Sequence, residues 1–197
     1  MSDRFTFSSA GIVHELELAM DRVGGWNAAL VKRMCEGDRL AEIREYLLGQ
    51  AEITYPEHLI NCDAAPFVPQ GWEMAEHRKT GIWKWDPAKV AFHLSKRQER
   101  GSFIEGNKLL KELEEKPVLN ANVLDYLLAH QELIPESWKK DENGNIRYIF
   151  FWGTIYRRSG GRLGVRYLYW DGCRWHWDCG WLAGGFRDQN PAALRAS

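Results

Sequence analysis

Residues 147–182 read RYIFFWGTIYRRSGGRLGVRYLYWDGCRWHWDCGWL. Aromatic and β-branched residues crowd three runs, 147–156, 163–170 and 173–182, separated by Ser159-Gly160-Gly161 and by Asp171-Gly172. Such runs read as strands, and short breaks of this kind read as hairpin turns. The expectation is a three-stranded antiparallel β-meander. A two-residue turn at Asp171-Gly172 sets Trp170 against Cys173, Leu168 against Trp175 and Arg166 against Trp177. The opposite face then pairs Tyr167 with His176 and Val165 with Asp178. A two-residue turn at Ser159-Gly160 adds Phe151 to the first face and Trp152 to the second. Both faces are aromatic. One packs on helices; the other is either covered as well or open for binding.

Upstream, the pattern turns helical. Ser8 and Ser9 can cap a helix over about 10–22 that Gly24-Gly25 ends. Asn27 can cap a second helix reaching Cys35. After the turn Glu36-Gly37-Asp38, a third runs from Arg39 to Leu48, with Leu40, Ile43, Leu47 and Leu48 expected inward. Helix, Gly-bearing turn, helix also describes a DNA-reading motif, but Glu42 and Glu45 on the second helix would face phosphates. Prolines 56, 66 and 69 make 51–85 irregular, with a loop anchored by Phe67 and Trp72 and a helical turn over 73–79. Asp86-Pro87 is a helix start; beyond it Val90, Phe92 and Leu94 alternate like a strand while Val90 and Leu94 also share a helical face, and a helix to about Gln98 is the preferred reading. A helix over 107–115 follows, then the clearest one, 121–130, capped by Asn120. Trp138 folds back as an anchor, and 190–197 is a loose end or a short docked turn. The fold class is α+β, divided into a helical unit over 1–50 and an α+β domain over 51–197.

The segments CDAAPFVPQGW (62–72), WDPAKV (85–90), KPVLNANVLDYLLAH (116–130), LIPESWK (133–139), FFWGTIYR (150–157) and PAALRAS (191–197) resemble those of an uncharacterised family of bacterial hypothetical proteins. The resemblance spans roughly 51–197 and implies that this stretch is one unit. It brings no activity, ligand or catalytic residue with it.

The 197 residues include ten tryptophans, which implies a large aromatic core or an aromatic binding surface. Residues 1–21 carry Asp3, Arg4, Glu15 and Glu17 with no apolar run, so no secretory leader is expected. No stretch approaches the ~20 apolar residues that span a bilayer. Cys35, Cys62, Cys173 and Cys179 are too scattered for a disulfide framework, so reduced thiols and a cytoplasmic location are expected. The net charge of −1 is unevenly spread: eight arginines and three aspartates over 143–197 give +5, leaving −6 on the rest. This asymmetry fits either attraction between the halves or an anionic partner for the basic part.

Four constellations carry chemistry. Cys173, His176, Asp178 and Cys179 are metal-capable, but strand alternation sends the two thiols to one face and His176 and Asp178 to the other. No metal or cofactor is expected. His58, Cys62, Asp63 and His77 form a looser set in the 58–77 loop, where Cys62 with either histidine is the one nucleophile–base pairing available. Glu73 and Glu76 with His77 could serve acid–base chemistry. The fourth set is Arg157, Arg158, Arg162, Arg166, Tyr169, Trp170 and Arg174, arginines among rings on a sheet, as in proteins that bind single-stranded nucleic acid. Against it stands the reading of the rings as core, with Arg166 stacked on Trp177. The function expected is a non-enzymatic binding protein acting through a protein partner, with no membrane contact. Single-stranded nucleic acid is the alternative partner, and a small enzyme built on the 58–77 loop the second alternative. An exposed apolar patch favours the protein partner.

Overall fold

A computed structural model describes residues 18, 28–50, 57–99 and 101–196. The chain divides into two compact units, Met1–Pro56 and Glu57–Ser197. No helix among the described residues is long and apolar enough to cross a membrane.

In the first unit, α1 (Ala28–Met34) and α2 (Arg39–Leu47) flank the Glu36-Gly37-Asp38 turn. The helix expected over 10–22 lies outside the described residues apart from Leu18, which is helical and exposed. The inward stripe expected on α2 is corrected: Leu40, Ile43, Leu47 and Leu48 are all exposed. Helical spacing created the stripe, but spacing alone does not supply a surface to bury it.

The second unit is mixed α+β. Its short strands are β1 (Leu59–Asn61), β2 (Trp72–His77), β3 (Ile82–Lys84), β4 (Val90–His93) and β5 (Ile104–Glu105). Helices α3 (Gly106–Glu112) and α4 (Ala121–Ala129) follow. The long strands are β6 (Ile149–Arg158), β7 (Leu163–Trp170) and β8 (Trp175–Trp181), before β9 (Gly185–Phe186) and β10 (Ala192–Arg195).

The expected three-stranded meander is thereby corrected. The strands β6, β7 and β8 are consecutive and antiparallel, but they form part of a six-stranded mixed sheet ordered β4-β10-β6-β7-β8, with β2 also on β6. The stretch read as a loose end is β10, antiparallel to β4 and parallel to β6. Strand alternation sends Ala192 into one core cluster and Ala193 into the other, and both are fully buried. The helical turn expected over 73–79 is the edge strand β2, and the helix expected from Asp86 to Gln98 is two 3₁₀ turns, Pro87–Lys89 and Lys96–Gln98, with β4 between them. Asp86 does cap, accepting from the Ala88 N–H at 3.0 Å, but pairing with β10 claims the next residues.

The Asp171-Gly172 register is corrected by two residues. Trp170 lies opposite Trp175, Leu168 opposite Trp177, Arg166 opposite Cys179 and Tyr167 opposite Asp178. The Asp171 carboxylate accepts from the N–H groups of Cys173 and Arg174, both at 2.8 Å, which draws four residues into the turn. Because the slip is even, no side chain changes face. The first hairpin turns through Ser159–Gly161, with Gly161 at φ 78°, and the β6–β7 register slips between Phe150 and Ile155.

Each sheet face packs against a further layer over part of its area. One face carries Ile149, Phe151, Leu168 and Trp175 against Val123, Leu124 and Leu127 of α4. The other carries Phe150, Trp152, Ile155 and Val165 against Leu109, Leu113, Leu182 and Phe186. The run 149–156 in β6 is buried throughout, as a central strand between two layers must be.

Candidate functional site

The 58–77 residues are held by one hydrogen-bond chain. Thr154 of β6 accepts from the Ala121 N–H at 3.0 Å, and its hydroxyl lies 2.8 Å from His77 Nδ1. His77 Nε2 lies 3.1 Å from the Cys62 carbonyl. A carbonyl can only accept, so Nε2 carries a proton, and in the neutral ring Nδ1 then accepts from Thr154. Asn120 caps α4 and also donates to the carbonyls of Cys62 (2.8 Å) and Arg78 (2.9 Å). The contact of His77 is therefore with the backbone of Cys62. The thiol is buried, and burial raises its pKa above the ordinary 9.0. His58 lies against the Tyr126 hydroxyl at 2.9 Å, and Asp63 accepts from the Gly81 N–H at 2.8 Å. Glu73 and Glu76 are exposed on β2. Together these contacts fasten the 57–81 segment to α4. Among the described residues no three His, Cys, Asp or Glu groups converge on a metal position.

The seven arginine and aromatic residues do not share one surface. Arg157, Arg158 and Arg162 are exposed at the β6–β7 turn, where Arg158 lies beside Trp72 of β2. Tyr169, Trp170 and Arg174 lie at the other end of β7, about 20 Å away at ~3.3 Å per residue. Tyr169 and Trp170 point to opposite faces. Trp170 is capped by Lys139, whose Nζ stands 3.5 Å from the ring centroid, and Tyr169 joins Tyr148, Tyr167 and His176. Arg174 Nε donates to His176 Nε2 at 3.0 Å, and that nitrogen is 2.7 Å from Asp171.

Arg166, midway, is 1% exposed. Its two terminal nitrogens donate to the two oxygens of Asp125 on α4, at 3.0 and 2.7 Å. Its guanidinium lies 4.2 Å from the Trp177 centroid and 5.3 Å from that of Phe67. Stacking and a bidentate carboxylate together explain how a cation is tolerated at this depth.

Above this pair lies a hollow of about 270 Å³, lined by Leu59, Ala64, Ala65, Phe67, Asp125 and Tyr126 among others. Phe67, read as an anchor, is 54% exposed, and Leu59 is 51% exposed. Proline at 66 and 69 holds the loop extended, so Phe67 rests its edge on Trp177, ring centroids 6.1 Å apart, and shows its remaining surface to solvent. The polar rim is already engaged: Asn122 donates to the carbonyls of Asn61 (2.8 Å) and Ala64 (2.9 Å). Asp125 is the one charged residue lining the hollow, and Arg166 neutralises it. Sequence reasoning did not single out Leu59 or Asp125. The helical position of Asp125, one turn beyond Asn122, was the available signal for the latter.

No protein-family model matches the chain, and neither a curated protein nor a solved structure matches it.

Proposed function

We propose that the protein is a non-enzymatic binding protein that docks a partner protein on the apolar hollow around Phe67 and Leu59. One observation carries this reading: large apolar side chains stand more than half exposed around a concavity whose polar groups are engaged and whose single charge is neutralised. Solvated surface of that kind is gained back on association at roughly 25 cal/mol per Å². Aromatic residues centred in such patches are the usual anchors of an interface.

The test is a photo-crosslinking residue placed at position 67, with one at the exposed Lys79 as control, followed by binding of the purified partner to F67S and L59S chains. Position 67 should yield a discrete adduct that position 79 lacks. Each variant should lower affinity at least tenfold, about 1.4 kcal/mol. Equal labelling at both positions, or unchanged affinity, would reject the docking site.

A further inference from the structure

On the sheet face opposite α4, two hollows share a wall. The first, about 270 Å³, is lined by Tyr148, Tyr167, Trp181, Cys179, Gly180 and Asn190, with the buried Phe150 and Phe186 as its floor. No charged residue lines it. The second, about 430 Å³, is lined by Arg97, Lys108, Phe103 and Glu105. Gly184 and Gly185 line both.

Glycine is required where the hollows form. A Cβ at Gly180 would lie 2.7 Å from the Phe150 ring, and one at Gly185 would lie 2.7 Å from Phe103. The wall between the hollows is therefore backbone at Gly184 and Gly185, with the Phe103 ring packed on Gly185. The first hollow offers half-exposed rings. Tyr148 and Tyr167 meet edge to face with centroids 5.6 Å apart, and Tyr167 packs on Phe150 at 4.7 Å. Rings so inclined present single stacking faces instead of a slot. Tyr167 is anchored by Asp178 at 3.4 Å.

The second hollow is net positive. Arg97 forms no ion pair among the described residues, and Lys108 is tied to Glu105 only by an exposed contact at 3.7 Å, which water screens. Arg187 is turned away, over Phe103 and toward the Gly101 carbonyl.

An uncharged aromatic seat that shares the Gly184-Gly185 wall with a basic seat is complementary to a ring carrying an anion. We propose that the paired hollows bind a nucleoside monophosphate, the base stacked on the tyrosine wall and the phosphate beside Arg97 and Lys108. Base stacking on one ring face tolerates any base, so selectivity among bases is low. The phosphate contact is exposed, so affinity falls with salt. This site is separate from the Phe67 hollow, which lies on the α4 side.

The test is calorimetric titration of the full chain with AMP, UMP, adenosine, glucose 6-phosphate and inorganic phosphate at low salt. AMP and UMP should bind similarly, with Kd on the order of 100 μM, and adenosine about tenfold more weakly. Saturation transfer from protein to AMP should fall on the base protons. R97A/K108A changes two exposed side chains and should reduce AMP to the affinity of adenosine while leaving adenosine unchanged. Tyr148→Leu, checked for folding by circular dichroism, should weaken both. Glucose 6-phosphate binding as well as AMP would overturn the stacked base. AMP binding unaffected by R97A/K108A would overturn the phosphate seat. No binding of AMP at about 5 mM, a Kd beyond any useful affinity, would overturn the site.

Discussion

Arg166 and Asp125 are joined by two parallel N–H···O bonds, 3.0 and 2.7 Å long, with the arginine almost fully buried and the aspartate side chain 29% exposed. Removing the carboxylate leaves a cation in the core with no counter-charge, and breaking such a pair costs about 3–5 kcal/mol. Asp125→Ala is therefore expected to lower the urea midpoint severely. The double variant D125A/R166M is expected to recover most of the loss, because an apolar chain of similar length fills the same channel. Equal instability of single and double variants would show that the pair is not what the site needs.

Asn120 is the second point of stress. Its side chain caps α4 and holds two carbonyls of the 62–78 segment. Asn120→Ala loses the cap, worth about 1 kcal/mol, and the donor to the Arg78 carbonyl, about 1 kcal/mol more, while the Cys62 carbonyl keeps His77 Nε2. The expected loss is ~2 kcal/mol by chemical denaturation. Asn120→Asp keeps the cap but turns a carboxylate oxygen toward the two carbonyls in a buried position, so it should cost at least as much as Asn120→Ala.

Gly153 admits no side chain. A Cβ there would stand 2.8–2.9 Å from the Cβ, Cα and N of Asn120, and backbone cannot swing aside as a flexible side chain can. Gly153→Ala is expected to cost at least ~2 kcal/mol by overpacking. Gly144→Ala meets no atoms in a solvent-exposed turn and is strained only by its φ of 82°, so it should cost less. Reversal of that order by thermal denaturation would contradict the close approach of α4 to β6.

Thiol chemistry should divide the cysteines in two. All four are free; Cys35 and Cys173 are exposed, while Cys62 is buried and Cys179 half-buried. Burial and then Asp178 push the Cys179 thiol up to about 12. Two thiols should react quickly with an aromatic disulfide at pH 8 and two slowly, since the thiolate is the reactive form. Mass mapping of the fast pair to any residues other than Cys35 and Cys173 would be the contrary result.

The same shifts set an alkaline limit. Burial raises Cys62, Cys179, Tyr156 and Tyr167 alike. These groups are neutral when protonated, so the folded chain keeps its protons after the unfolded chain has released them. Their contribution is full below the unfolded values, 9.0 for the thiols and 10.0 for the phenols, and is lost as pH rises above them. The denaturation midpoint should be level near neutrality and decline steadily above about pH 9. A level midpoint to about pH 11 would run against it, and Cys179→Ala should soften the decline.

The strands from Ile149 to Trp181 were legible because each carries its own aromatic and β-branched composition. Their faces were legible even though the Asp171 turn holds four residues, because a slip of two preserves parity. The strand β10 was not. Pro-Ala-Ala-Leu has no β-forming character, and its alanines enter the sheet through pairing with the distant β4 and β6. Val90–His93 alternates as a strand does, but Val90 and Leu94 also share a helical face, and the partner that decides between the two lies about a hundred residues away. Asn120 and Asp86 were read as caps and are caps. The Arg166–Trp177 stack was visible as a possibility, whereas the depth of Arg166 depended on Asp125, which local pattern does not connect to it. Phe67 was read as an anchor because aromatic residues in proline loops usually turn inward. Half its surface stays outside, and nothing in the local sequence marks that.

The position of β10 has a kinetic corollary. Among the described residues, β4 pairs with β10 and with no other strand. During synthesis, about 100 residues are added between the two, which takes ~5–20 s at ordinary translation rates. For that interval Val90–His93 is an unsatisfied edge, and β6, once made, lacks one of its neighbours until β10 follows. Topology of this kind folds slowly, since distant segments must meet before either gains from the encounter. A nascent chain stalled before residue 192 should therefore be protease-sensitive and attractive to chaperones, and it should become resistant in a single late step once residues 192–195 are free to enter between β4 and β6.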